Sequence, residues 1–399
     1  MKAWLDLARL LFALVVVVDH AVILFLLPDD VFGARLWFPW LNAAAAVAVS
    51  GFFLISGFAI AHSVTPVNDP FSLRRFLANR AGRIYPPLLL ACALGLALVY
   101  FWIPAAELAG METSSKSTGG FGYYIAAGFQ GSTWQMAGAT LLMLSDPIID
   151  GRTAWSILAP AWTLPFEILM YLVAGLSFRL FQSPRQLMWA AGILLWCLLW
   201  SWALVIQNAH VWVLLGLWSI GFAIGLLTRQ HWSFGLLAKI FLCILPSIFF
   251  LDLFVSAFGP ISLANTSTMV TKLGSPYVDS WHLTVGIALI IFSIFYALGL
   301  ASRAFARLMK QQRSFKVPDF SYTLYICHFP LLLGWGAATT RWEILTIFPG
   351  WAVNLFGVIG IIMVCAAMSL IAERKRFYAK IISFFLYNPW HAQPKIQSS

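Results

Sequence analysis

The sequence predicts an all-α, polytopic membrane protein with about ten transmembrane helices and both termini in the cytoplasm. Three observations lead there. Of 399 residues, 61% are hydrophobic and only 10% charged, with a mean hydropathy of +0.84. About a quarter of the residues of a soluble domain are charged, so this composition could not clothe a water-facing surface. Apolar runs near the roughly 20 residues that a helix needs to cross a bilayer recur along the chain. The connections between them alternate in net charge. An outer-membrane barrel would instead show segments of about ten residues with alternating polarity, and that period is absent.

The spans fall at 7–27, 41–62, 84–103, 158–178, 187–206, 211–228, 236–256, 281–301, 320–340 and 351–371. Connections 63–83, 179–186, 229–239 and 303–319 and the tail after 372 carry net positive charge, whereas 28–40, 104–157, 207–210, 252–280 and 341–350 are neutral or acidic. By the positive-inside rule the basic connections and both termini are cytoplasmic, and removing one span would scramble the signs. The overall +10 charge is therefore one-sided loop charge and no sign of nucleic-acid binding. The expected organisation is a single membrane domain over 1–399, with a cytoplasmic tail at 373–399 and no separate soluble domain.

The first span follows Lys2 and looks superficially like a signal peptide. Asp6, Arg9, Asp19 and His20 interrupt it and no small-x-small cleavage site follows, so it reads as a retained helix. The outward segment 104–157 holds the polar stretch from Thr113 to Gly120 and a run of aromatics, which suits an acceptor-binding lid or an ordered cap, the cap being favoured. Cys92, Cys197, Cys243, Cys327 and Cys365 lie inside apolar spans without ligand spacing, so neither a disulfide nor a structural metal is expected.

Ionisable residues within spans are costly in lipid and usually line a cavity or pair with one another. They are Arg9, Asp19, His20, Glu167 and His328. Arg9 and His20 are separated by a turn angle within about 20° of three full turns, so they share a helix face with a rise of about 16 Å. A cytoplasmic anion with a long arm could be anchored at the first and react at the second. The plainer reading has Arg9 snorkelling to lipid phosphate and His20 bonding a neighbouring helix.

Asp19 points about 100° away from His20 and is expected to partner another helix. Glu167, after Trp162-Thr163-Leu164-Pro165-Phe166, enters from the outer side to a depth comparable with His20 and could orient that histidine, or be a protonated bundle residue. Arg80 and Arg83 project together at the cytoplasmic boundary, where they suit multivalent phosphate or, more commonly, an anionic lipid surface. His328 lies beside Pro330, whose missing N–H frees a carbonyl; a histidine there can be structural, satisfying that kink. His62, His210, His231 and His282 sit at span ends or in loops and receive no role.

Five blocks in order carry a resemblance. They are Arg9-x10-His20, Gly51-Phe52-Phe53-Leu54-Ile55-Ser56-Gly57-Phe58, Arg80-Ala81-Gly82-Arg83-Ile84-Tyr85-Pro86, Trp162 to Glu167, and Ser321-Tyr322-Thr323-Leu324-Tyr325-Ile326-Cys327-His328-Phe329-Pro330. Over essentially its whole length the chain resembles the acyltransferase-3 family of integral-membrane acyltransferases. The resemblance implies an enzyme of the bacterial inner membrane that moves an acyl group, usually acetyl, from cytoplasmic acyl-coenzyme A to a hydroxyl of a cell-envelope or exported carbohydrate such as lipopolysaccharide. No permanently bound cofactor and no metal are implied.

It further implies that His20 is the essential histidine, that Arg9, Arg80 and Arg83 contact the coenzyme phosphates, and that Glu167 is the family's acidic residue. Asp19, Tyr85 and His328 fall in supporting places. Pro165 departs from a more usual small or polar residue and is expected to shift Glu167 around its helix. The extra helix and SGNH-type esterase domain of some relatives are not expected. Two rival classes remain at this point: a proton-coupled secondary transporter using His20, Asp19 and Glu167 as a relay, and a scaffold for glycan assembly.

Overall fold

A computed structural model describes residues 2–26, 31–64, 71–102, 133–143, 156–206, 209–227, 294, 320–341, 347–374, 377–378 and 381–382. The expected spans 236–256 and 281–301, Ile294 apart, lie outside the described residues, as does most of 104–157. Every regular element among the described residues is helical: α1 Lys2–Phe25, α2 Ala34–Val64, α3 Leu73–Ala97, α4 Thr133–Leu141, α5 Leu164–Phe181, α6 Gln186–Ile206, α7 Ala209–Leu227, α8 Ser321–Arg341 and α9 Gly350–Ala372. Among the described residues, five stretches are long and apolar enough to cross a membrane: Leu5–Phe25, Trp40–Val64, Leu73–Phe101, Ile157–Phe181 and Gly350–Ala372.

Two of these stretches differ from the sequence expectation in an instructive way. The basic segment read as a boundary before the third span is the first half of α3 itself. Ser72 caps it by accepting from the Arg75 amide at 3.4 Å, and the helix runs through Pro86 and Pro87. Arg80 and Arg83 therefore sit within the same rod as the apolar half. The expected span 158–178 begins instead as a 3₁₀ stretch, Ser156–Thr163, and becomes α-helical only at Leu164. Pro165 stands in the first turn of α5, where its missing N–H costs nothing because that amide has no intrahelical acceptor. Glu167 then falls in the first helical turn, beside the positive end of the helix dipole.

With no hydrophobic force between helices in lipid, close packing needs small residues at the contact. The α2/α7 pair meets this need. A Cβ at Gly57 would strike the Trp218 carbonyl, and one at Gly221 the Leu54 carbonyl. At Gly225 it would lie 2.6 Å from the Ala61 Cβ. Gly57 with Ala61 and Gly221 with Gly225 are both four residues apart, so each helix presents a stripe of small residues to the other.

Helix α8 packs against α1, α3 and α9, while α2 packs against α1, α5 and α7. The entrance of α8 is closed by a residue fifty positions away. Glu373, just past α9, accepts from both the Thr323 amide and the Thr323 hydroxyl at 2.8 Å through one carboxylate oxygen. The amide is one of the donors that the first turn of a helix cannot satisfy by itself. The outer face of α9, with Phe356, Met363 and Leu370, remains exposed and apolar, as a lipid-facing surface requires.

Candidate functional site

Helices α1, α2, α3, α5 and α8 together surround one polar pocket inside this apolar bundle. Arg9, Arg80, Arg83, Ser56, Glu167 and Tyr171 line it, with Ser321, Tyr322 and Tyr325 from α8. Four of the eight residues singled out from the sequence thus meet at one place: the three arginines and Glu167. Tyr85 does not line it, and Asp19 is buried on α1 with its Oδ1 unbonded among the described residues.

The arginines are held unequally. Arg9 donates from Nη1 to Asp6 Oδ1 at 2.9 Å, one turn earlier on α1. Arg80 donates from Nη2 to Ser63 Oγ at 2.9 Å, and its guanidinium carbon lies 5.7 Å from the ring centres of both Phe76 and Tyr171. Its Nε is buried and has no hydrogen-bond partner among the described residues. The Arg83 guanidinium faces Tyr322 at 6.0 Å. Neither Arg80 nor Arg83 forms a salt bridge among the described residues. A buried guanidinium with unmet donors is costly, so this arrangement is complementary to an anion with several oxygens.

Glu167 is engaged here as well. Its Oε1 accepts from Ser56 Oγ at 3.1 Å and from the Tyr171 hydroxyl, while Ser56 Oγ and Tyr171 Oη are 3.0 Å apart. The expected meeting of Glu167 with His20 is not among these bonds. Because α5 starts only at Leu164, the carboxylate emerges beside the arginines and completes the polar wall of their pocket. Ser56 stands in a block quoted from the sequence but drew no attention there. Tyr171 was missed, although it lies four residues after Glu167, the spacing at which helical side chains meet.

The histidine lies elsewhere, beyond an aromatic layer. Phe52 and Tyr325 line the arginine pocket with ring centres 5.3 Å apart, and Phe52 also meets Phe12, 5.7 Å away. Phe12 is one turn beyond Arg9 on α1, and Tyr325 one turn beyond Tyr322 on α8, so these rings occupy the level between arginines and histidine. Tyr325 is tied to the 3₁₀ stretch through Thr163 Oγ1 at 3.2 Å.

His20 Nδ1 lies 2.8 Å from His328 Nε2, and the ring of Phe329 stands edge-on to His20 at 4.9 Å. The two imidazole planes differ by only 13° with centres 5.1 Å apart. A short bond between ring nitrogens fills that separation when rings lie edge to edge, so this is an in-line N–H···N contact and no face-to-face stack. His328 Nδ1 donates to the Leu324 carbonyl at 2.9 Å. The carbonyl that Pro330 frees is that of Ile326, four residues before it. The kink-satisfying role considered for His328 is therefore not the one its bonds serve.

A family model described as an acyltransferase domain, Acyl_transf_3, matches residues 2–372. The chain belongs to the acyltransferase-3 family. It is also 29% identical over 156 residues to a protein named acyltransferase MdmB from Streptomyces mycarofaciens, a match covering 38% of this chain and 34% of that relative. The chain thus aligns with about a third of that relative's length. No solved structure matches. Membership of the acyltransferase-3 family, together with the apolar helices, makes this a multi-pass membrane protein and does not favour the transporter reading.

Proposed function

We propose that the protein is a membrane O-acyltransferase that moves an acyl group, in the first instance acetyl, from cytoplasmic acyl-coenzyme A to a hydroxyl of a cell-envelope or exported carbohydrate. The observation that carries this reading is the pocket in which Arg9, Arg80 and Arg83 converge, Arg80 Nε having no partner among the described residues, with Arg9 on the helix that also carries His20. The phosphates of the donor are the anion that this pocket suits, and the arm bearing the thioester is long and uncharged. It would extend from the arginines toward His20 by parting the Phe52–Tyr325 ring contact, over the rise of about 16 Å that separates Arg9 from His20.

The chemistry then needs one base. His20 takes the proton of the acceptor hydroxyl as its oxygen attacks the thioester carbonyl. The carbon–sulfur bond breaks, the thiolate takes up that proton, and an ester and a free thiol result. Transfer through an acyl-histidine would use the same nitrogen as nucleophile and add one step. Glu167, held by Ser56 and Tyr171 in the arginine wall, shapes the anion site. The bacterial inner membrane, with both termini cytoplasmic, is the setting this reading requires.

The test is a sided one. Protein is reconstituted in vesicles, acetyl-labelled coenzyme A is supplied on the face carrying the termini, and a lipid-linked glycan acceptor is embedded in the membrane. Label on the glycan supports the reading. Label accumulating only as a free solute across the membrane would overturn it and restore a transporter.

A further inference from the structure

The hydrogen bonds around His20 settle which nitrogen carries its proton, and the residue that settles it is on another helix, 308 positions away. A carbonyl oxygen can only accept, so the 2.9 Å contact from His328 Nδ1 to Leu324 requires the proton of His328 to be on Nδ1. A neutral imidazole has a single N–H, which leaves His328 Nε2 as a lone pair. The 2.8 Å contact between His328 Nε2 and His20 Nδ1 must then be donated by His20. His20 is left with its proton on Nδ1 and its lone pair on Nε2, and no further hydrogen bond reaches that ring among the described residues.

We infer that His328 is a positioning residue that holds His20 in the tautomer whose Nε2 takes the proton of the acceptor hydroxyl. The inference rests on the acyl-transfer reading above. Each part of the arrangement is accounted for by it. His328 is fully buried, so its tautomer is not averaged by solvent. The Leu324 carbonyl is one helical turn before it on the same helix, so the acceptor that selects the tautomer is built into α8. The rings lie edge to edge, which directs the N–H of His20 at the lone pair of its partner. Phe329 stands edge-on against one side of His20.

In the transfer step, the hydroxyl proton moves to His20 Nε2 while the oxygen bonds to the carbonyl carbon. His20 is then an imidazolium whose Nδ1–H still donates to His328. When the carbon–sulfur bond breaks, the Nε2 proton passes to the departing sulfur, and His20 returns to its starting tautomer. His328 neither gains nor loses a proton. A second histidine in place of a carboxylate keeps the pair electrically neutral between turnovers, which suits a site among apolar helices.

The experiment compares wild type, His328→Phe and His328→Gln, in detergent or lipid, by two readouts. The Gln side-chain amide oxygen can reach the place of His328 Nε2 and accept from His20, whereas Phe fills the volume and accepts nothing. Turnover of acetyl-coenzyme A to an ester should fall at least about 100-fold in kcat for His328→Phe with KM for the donor unchanged, and be largely restored in His328→Gln. Nitrogen-15 NMR of labelled imidazoles should show His20 protonated at Nδ1 in wild type and His328→Gln, and as a mixture of tautomers in His328→Phe.

His328→Phe with wild-type kcat, or wild-type His20 protonated at Nε2, overturns the inference while leaving acyl transfer intact. A loss in both variants, with KM rising alike, would make His328 merely structural and overturns it too. If wild type moves no acyl group, the underlying reading fails first, and the NMR readout alone then judges the tautomer.

Discussion

Replacing Arg80 with Gln removes the guanidinium whose Nε is buried without a partner among the described residues, and the loss should fall on donor binding more than on folding. Arg80 bonds Ser63, lies over the Phe76 ring, and meets Tyr171 both over its ring and through a side-chain hydrogen bond. A net hydrogen bond contributes about 0.5–1.5 kcal/mol and a cation–ring contact from about 0.5–1 kcal/mol when exposed to about 2 kcal/mol when desolvated. Removing a buried and incompletely satisfied charge offsets those losses, so the folded state should change little. Toward a phosphate the balance is different. A hydrogen bond to a charged partner is worth about 1.5–3 kcal/mol, and at 1.4 kcal/mol per decade its loss weakens binding by about 10- to 150-fold.

Calorimetric titration of coenzyme A and of pantetheine, which has no phosphate, into wild type and Arg80→Gln separates the two effects. Coenzyme A should weaken by that factor while pantetheine binds both proteins alike. Equal weakening of both ligands, or none for coenzyme A, would refute the assignment of the pocket to phosphate.

Three further outcomes are expected. In Gly221→Ala the new methyl group meets the Leu54 carbonyl, which cannot move without parting α2 from α7; overpacking of this kind costs about 1–3 kcal/mol and should appear as a lower melting temperature in detergent. Glu373→Ala deprives Thr323 of both its bonds and leaves a buried amide unsatisfied, a cost of about 1–3 kcal/mol in the same assay, whereas Glu373→Gln retains an acceptor and should lose less. A fluorescent protein fused after the tail should fluoresce and a periplasmic phosphatase there should stay inactive; the reverse would invert the orientation drawn from loop charge.

What could be read in advance was whatever a single helix determines. The length and apolarity of the spans, the shared face of Arg9 and His20, and the neighbouring Arg80 and Arg83 follow from composition and a period of 3.6 residues. Contacts between helices have no period to betray them. Nothing around Glu167 announces Ser56, which is 111 positions away, and nothing around His20 announces His328. The place of Glu167 has a local determinant. An α-helical span over 158–178 takes no account of the 3₁₀ stretch with Pro160 inside it, and Pro165, expected to shift Glu167 around its helix, instead marks the helix start. Two signals were present and unused: the paired small residues of α2 and α7, and Tyr171 one turn after Glu167.

Single-turnover transfer from acetyl-labelled coenzyme A to a lipid-linked glycan, in wild type and His20→Ala, tests the central claim most directly. Loss of a general base costs about 10²- to 10⁴-fold in rate, so the variant should bind coenzyme A as wild type does and scarcely form the ester. Ester formation at the wild-type rate by His20→Ala would contradict the account.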